Sequence, residues 1–186
     1  MNDANKLFPQ LRQELPPQLS LQDKELPRLG QGFVWQDLTI GQRLRTFRRT
    51  VTETDLVNFI GVTGMLEAIF IDADFEGSAI AGRPVPAALT YTLIEGFILQ
   101  TMIQGTGLAM LELVQKIHAP VCVGDSIEAV VEVTGIRPTS KSGRAIVDSR
   151  IDVFNQHGRC VMHYDARRLL AGRAAEAINV VNAPRL

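Results

Sequence analysis

The chain has 186 residues, 46% of them apolar and 21% charged, with 19 Lys and Arg against 20 Asp and Glu, three His and two Cys. That length suits one domain able to bury a real core, and a net charge of −1 with a pI near 6.3 excludes nucleic-acid binding by general electrostatic attraction. Cys122 and Cys160 have no metal-ligand spacing and are too few for a disulfide framework, which predicts buried free thiols in a reducing compartment.

Met1 to Asn5 is polar and no apolar h-region follows it, so no signal peptide is expected and the chain reads as soluble and cytoplasmic. Pro9, Pro16, Pro17 and Pro27 crowd the start of the chain among Gln and charged residues. Residues 1–32 are therefore expected to form an irregular arm, packed on the body or a partner subunit or else disordered. Phe33 to Leu38 and Leu44 to Val51 read as extended, joined by a turn at Gly41. Thr52-Glu53-Thr54-Asp55 has the form of a capping box, with a hydroxyl for the orphan N–H groups and an acid three residues on. A short helix should follow with Leu56, Phe59 and Ile60 on one face, ended by Gly61 and Gly64. An irregular stretch runs through Asp72 to Gly82.

The longest apolar run, Val85 to Ile103, is about the length of a membrane span. Thr90, Thr92, Glu95, Gly96, Gln100 and Thr101 interrupt it, so it reads as a buried helix, with Pro84 and Pro86 where a helix start tolerates proline. The period then changes to two. Ile127, Ala129, Val131 and Val133 alternate with more polar neighbours, as do Ala145, Val147, Ser149, Ile151 and Val153, which marks half-buried antiparallel strands. Asn155 to Gly158 is a hairpin turn into a last strand, Arg159 to Leu170. Leu108 to His118 adds another strand, and residues 173–186 form a C-terminal tail. The loop Arg137 to Gly143 is a basic hairpin tip, read as a solvated turn or a contact for a ligand phosphate. A sheet with one apolar face wrapped around a central helix satisfies both periods.

Several strings in this order resemble a known family. They are Trp35-Gln36-Asp37-Leu38-Thr39-Ile40-Gly41-Gln42, the helix start from Thr52 to Phe59, Thr63-Gly64 with Asp72 downstream, Ala119-Pro120-Val121-Cys122-Val123-Gly124-Asp125-Ser126, and the Asn155 to Gly158 turn. Together they resemble the MaoC-like acyl dehydratases, which include the (R)-specific enoyl-CoA hydratases, over residues 33–172. The resemblance implies an α+β hot-dog fold, an antiparallel sheet around a long central helix. It implies an acyl-thioester substrate carried on CoA or acyl carrier protein, and a site at the interface of a homodimer or higher homo-oligomer. An unpaired sheet edge also invites pairing with a second chain. Nothing in the sequence suggests a metal or redox cofactor, and neither nucleic acid nor a membrane is an expected partner.

The family signature T-G-D-x-N-P-x-H-x-D falls on Thr63 to Asp72, where Met65 replaces the catalytic Asp and Phe70 the catalytic His. Hydration of an enoyl thioester needs a base for water and an acid for the α-carbon, and neither a thioether nor a phenyl ring supplies one. Glu67 and Asp72 repeat the acid-to-His separation two residues later and form a candidate carboxylate dyad, or are solvated loop acids. Glu95, deep in the buried helix, is the third candidate base, because burying a carboxylate requires a partner or a proton. Its alternatives are an internal salt bridge, to Arg83 or to a partner subunit's arginine, and an exposed position at a dimer seam. Resemblance to hot-dog thioesterases would make it a nucleophile or base, although Val85-Pro86-Ala87-Ala88 stands where those have His-Gly-Gly. The amides of Ala87 and Ala88 would polarise the carbonyl, and Arg83 would meet an anionic group or solvate the helix entry. Met65 and Phe70 would line an acyl tunnel. His118, His157 and His163 read as surface or structurally bonded imidazoles. Three functions follow: an enoyl-CoA hydratase or dehydratase by descent, a thioesterase using Glu95, or a non-catalytic ligand-binding or scaffold subunit.

Overall fold

The computed structural model describes residue 26 and residues 28–140 and 143–173. Most of the expected N-terminal arm, the tail beyond Arg173 and two residues of the basic hairpin tip lie outside them. The strands are β1 (Arg43–Arg45), β2 (Arg49–Thr50), β3 (Gly107–Ile117), β4 (Ser126–Pro138), β5 (Arg144–Phe154) and β6 (Cys160–Ala171). The helices are α1 (Glu53–Thr63), α2 (Ala68–Ile71) and α3 (Ala87–Gln100).

The sheet is antiparallel in the order β1-β4-β5-β6-β3, with β2 also paired to β4. Along β4, Ile127, Ala129, Val131 and Val133 are buried and their neighbours half-exposed, so the period of two in the sequence is the two faces of one sheet. The inner face meets α3, whose Leu89, Ile94 and Ile98 share one core with Val131, Val147, Ile151, Tyr164 and Leu170. Each such side chain contributes about 1.5–3 kcal/mol by leaving water. This is the expected α+β hot-dog architecture. Among the described residues no helix is long and apolar enough to cross a membrane, and the apolar run of the sequence is a 14-residue helix inside the sheet.

The capping box forms as read. Thr52 Oγ1 accepts from the Asp55 N–H at 3.2 Å, and Asp55 Oδ2 accepts from the Thr52 N–H at 2.9 Å. Gly64 ends α1 in the left-handed conformation at φ 72°, where a side chain would be strained, while Gly61 lies inside the helix. Burial alone would raise the Asp55 carboxyl, but bonds from Thr52 and the adjacent Arg49 guanidinium bring it below its ordinary value. Such a lowered carboxyl contributes stability above the unfolded value and loses it as pH falls through the folded one. Thr52→Ala should therefore cost about 1 kcal/mol at neutral pH. It should also shrink the stability lost on acidification below roughly pH 4, both read from urea midpoints at the two pH values.

Two local expectations change. Phe33 to Leu38 is not extended, because Asp37 Oδ2 accepts from the Val34 N–H at 3.1 Å and turns Trp35–Asp37 into a 3-10 helix. The indole of Trp35 then lies against Gly172, where a Cβ would fall 2.3 Å from Nε1, so only glycine permits that approach. Leu44 to Val51 is not one strand but two short ones, β1 and β2. Between them Thr46 satisfies Ala129 instead, its N–H donating to the Ala129 carbonyl at 2.9 Å and its Oγ1 accepting from the Ala129 N–H at 2.8 Å.

Candidate active site

The start of α3 is built by a tie to the loop before β4. The Val85 N–H donates to the Val121 carbonyl at 2.8 Å, and the Val123 N–H donates to the Arg83 carbonyl at 3.0 Å. Pro86 caps the helix with a φ of −53°, already suited to a helix start and without an N–H to leave unpaired. Its carbonyl accepts from Leu89 and Thr90. The N–H groups of Ala87 and Ala88 have no acceptor among the described residues, and both stand at the positive end of the helix dipole.

A cavity of about 380 Å³ opens beside this terminus. Pro84, Val85, Ala87 and Thr90 form one wall, Ile69, Phe70 and Ile80 a second, and Val121, Val161 and Met162 a third. Ile117, His118 and Pro120 are its exposed members and form the mouth, at the end of β3. Among the described residues the lining is apolar apart from Thr90 and His118, and no carboxylate belongs to it.

Phe70 lines the cavity as the sequence suggested, and so does Ala87, while Ala88 follows on the same turn. Met65 does not line it and is 42% exposed. Arg83 holds Phe70 in place, donating from Nε and Nη2 to the Phe70 carbonyl at 3.2 and 3.0 Å and from Nη1 to the Glu53 carboxylate. Its guanidinium thus has internal partners on both sides. Glu67 caps α2 through its backbone and exposes its side chain, and Asp72 Oδ1 accepts from the Asp74 N–H at 3.0 Å in the exposed loop. The structure brings neither acid to the cavity wall.

Glu95 is buried at 7% exposure, and its partner is not Arg83. Arg168 Nη2 donates to its Oε1 and Oε2 at 2.9 and 2.8 Å, and the Tyr164 hydroxyl donates to Oε2 at 3.0 Å. Burial, and then the Glu95 charge, push the Tyr164 hydroxyl far above the usual phenol range, so it stays a donor. Tyr91 packs edge-on against Tyr164 at 5.2 Å. Glu95 and Arg168 face a separate groove of about 170 Å³ between α3 and the first residues of β3. A helix that presents Thr90 to the cavity turns Glu95 away from it, because five residues along a helix bring the next side chain to another face.

The sequence reading missed the closest contact between titratable groups at the mouth. His118 Nε2 and His163 Nδ1 are 2.7 Å apart, with ring centroids at 4.8 Å. Burial, then Arg150 and His118, lower the His163 imidazole, opposed by Asp152 and Asp165. His157 lies in the exposed turn Asn155 to Gly158. Only the β3–β6 register, which sets Lys116 opposite His163, brings the two rings together. Cys122 and Cys160 are free and half-buried rather than fully buried, each thiol raised by burial.

Residues 38–164 match the FAS1-like dehydratase domain region family. The (R)-specific enoyl-CoA hydratase of Rhodospirillum rubrum is 24% identical over 107 residues, 58% of this chain and 74% of that protein. The 3-hydroxybutyryl-CoA dehydratase of Methylorubrum extorquens is 24% identical over 110 residues, 59% of this chain and 69% of that protein. The crystal structure of the MaoC-like dehydratase from Rhodospirillum rubrum superposes with a TM-score of 0.70 at 21% identity, covering 77% of this chain and 100% of that one. The chain belongs to the FAS1-like dehydratase-region family, and its fold is that of the MaoC-like hot-dog structures.

Proposed function

We propose that the chain binds acyl thioesters, on CoA or acyl carrier protein, as a hydratase- or dehydratase-type protein in which Met65 and Phe70 have taken the places of the usual Asp and His. The observation that carries this reading is the apolar cavity of about 380 Å³ set against the unpaired amides of Ala87 and Ala88. A thioester carbonyl placed there accepts from those amides, which stabilise negative charge on its oxygen. The acyl chain lies against Phe70 and Ile80, and Phe70 acts as wall rather than as base. The two curated relatives, a hydratase and a dehydratase named for CoA thioesters, support the same substrate class. The free cysteines fit a reducing, cytoplasmic setting. A second copy paired along β3 completes the mouth in this reading, since that strand is a sheet edge and all eleven of its residues are exposed.

The test offers the protein butyryl-CoA by calorimetry and crotonyl-CoA in solution, following enoyl absorbance alongside free thiol. Saturable butyryl-CoA binding is expected. Phe70→Glu should weaken it tenfold or more, which corresponds to about 1.4 kcal/mol, because a carboxylate is then placed in an apolar wall. Enoyl loss without thiol identifies a hydratase, thiol release a thioesterase, and binding with neither a non-catalytic carrier. Absence of binding removes the reading.

A further inference from the structure

Among the described residues the cavity has neither family catalyst and no carboxylate, yet it contains one titratable side chain, His118. That imidazole does not stand alone. Its Nε2 is 2.7 Å from Nδ1 of His163, and a contact of that length between two ring nitrogens needs one donor and one acceptor. In this geometry the pair holds at most one proton beyond neutrality, because two fully protonated rings would point N–H at N–H. The groups around the pair come from each neighbouring strand. Lys116 on β3 and Asp152 on β5 lie opposite His163 in register, Arg150 on β5 donates from Nε to Asp152 Oδ1 at 3.1 Å, and Asp165 follows on β6. Among the described residues, the cavity lining beyond His118 adds no further charged group, being apolar but for Thr90.

We propose that His118 is the acid–base residue of this cavity and that His163 is the positioning residue that fixes its tautomer, a role that rests on the acyl-thioester reading above. Nε2–H of His118 donates to Nδ1 of His163, which leaves the His118 Nδ1 lone pair for chemistry. As a water oxygen adds to C3 of a 2-enoyl thioester, Nδ1 takes one water proton. The C2=C3 electron pair moves into the thioester as an enolate, held by the Ala87 and Ala88 amides. The imidazolium then returns the proton to C2. The sum is addition of one water across the double bond, with no other reactant, and the reverse path is dehydration. A single histidine at the mouth thereby does the work of the missing Asp and His.

The experiment uses the full chain with crotonyl-CoA for hydration and butyryl-CoA for binding, over about pH 5 to 9, the range that brackets imidazole titration. Wild type should hydrate crotonyl-CoA, with kcat/KM falling on the acid side as the pair takes up its extra proton. His118→Gln should lose about 100-fold or more in kcat/KM while keeping butyryl-CoA affinity within about twofold, and His157→Gln should match wild type. His163→Leu removes the acceptor that shares the added proton, so it should move the acid limb to lower pH and reduce kcat with KM unchanged. His163→Gln keeps an acceptor and should restore the limb toward its original place. Undiminished hydration by His118→Gln, loss of its butyryl-CoA binding, or wild type that binds butyryl-CoA without hydrating crotonyl-CoA each overturns the assignment and leaves the binding reading standing. Should His118→Gln fail to fold, an unmoved acid limb in His163→Leu overturns it instead. Absence of butyryl-CoA binding by wild type overturns both readings.

Discussion

Arg168→Met should destabilise the protein by about 3–5 kcal/mol, the usual result of removing one partner from a buried ion pair. The carboxylate of Glu95 would remain buried with a single donor, the Tyr164 hydroxyl, in place of the three bonds it now accepts. For a chain of this size the melting temperature should fall on the order of 10 °C. The double variant Glu95→Leu with Arg168→Met should recover most of the loss, because it removes both charges at once and leaves only the neutral Tyr164 hydroxyl of that hydrogen-bonded group. Calorimetric melting of the single and double variants checks this. A single variant as stable as wild type would show that Glu95 does not depend on Arg168. The same set also bears on the thioesterase alternative, because Glu95 is held by Arg168 and Tyr164 and does not line the cavity.

Leu111→Lys combined with Leu113→Lys should convert a dimer into a monomer of 20.5 kDa, read by light scattering. Among the described residues strand β3 pairs with β6 alone, and Leu108, Met110, Leu111, Leu113, Val114 and Ile117 are all exposed along it. An edge of this length and character is an open template for another strand, and two added lysines oppose such pairing by charge and by desolvation. Because Ile117 and His118 form the mouth of the cavity, the monomer should also bind butyryl-CoA more weakly. Wild type running as a monomer would overturn the expectation that the edge is covered by a second copy.

Most of the fold was legible because it rests on periodicity. Alternation along β4 and β5 named the buried face residue by residue, and the Thr52 box set the start of α1 within one position. The misreadings came where a single side chain outweighed the pattern. Asp37 turned an apolar stretch into a 3-10 helix, and Gly61 sat inside a helix that Gly64 ended. The site was less legible for a geometric reason. Glu95 drew attention through its burial, but a partner 73 positions away leaves no local trace. His118 and His163 are 45 positions apart and meet only through strand register. Phe70 was found because the family frame carries it to the cavity wall, and Ala87 because it starts the buried helix, whereas Met65, in the same frame as Phe70, is outside it.

Arg83 holds the Phe70 carbonyl with two of its nitrogens and the first turn of α1 with the third. One side chain thereby fastens a wall of the cavity to the helix whose cap is formed by Thr52. The consequence is thermodynamic linkage. Any ligand that needs Phe70 in its present position favours the docked helix, and fraying of that helix reduces apparent affinity by the fraction of molecules in which the wall is loose. Affinity in this protein is then partly a property of how well an exposed surface helix is folded, several residues from anything the ligand touches.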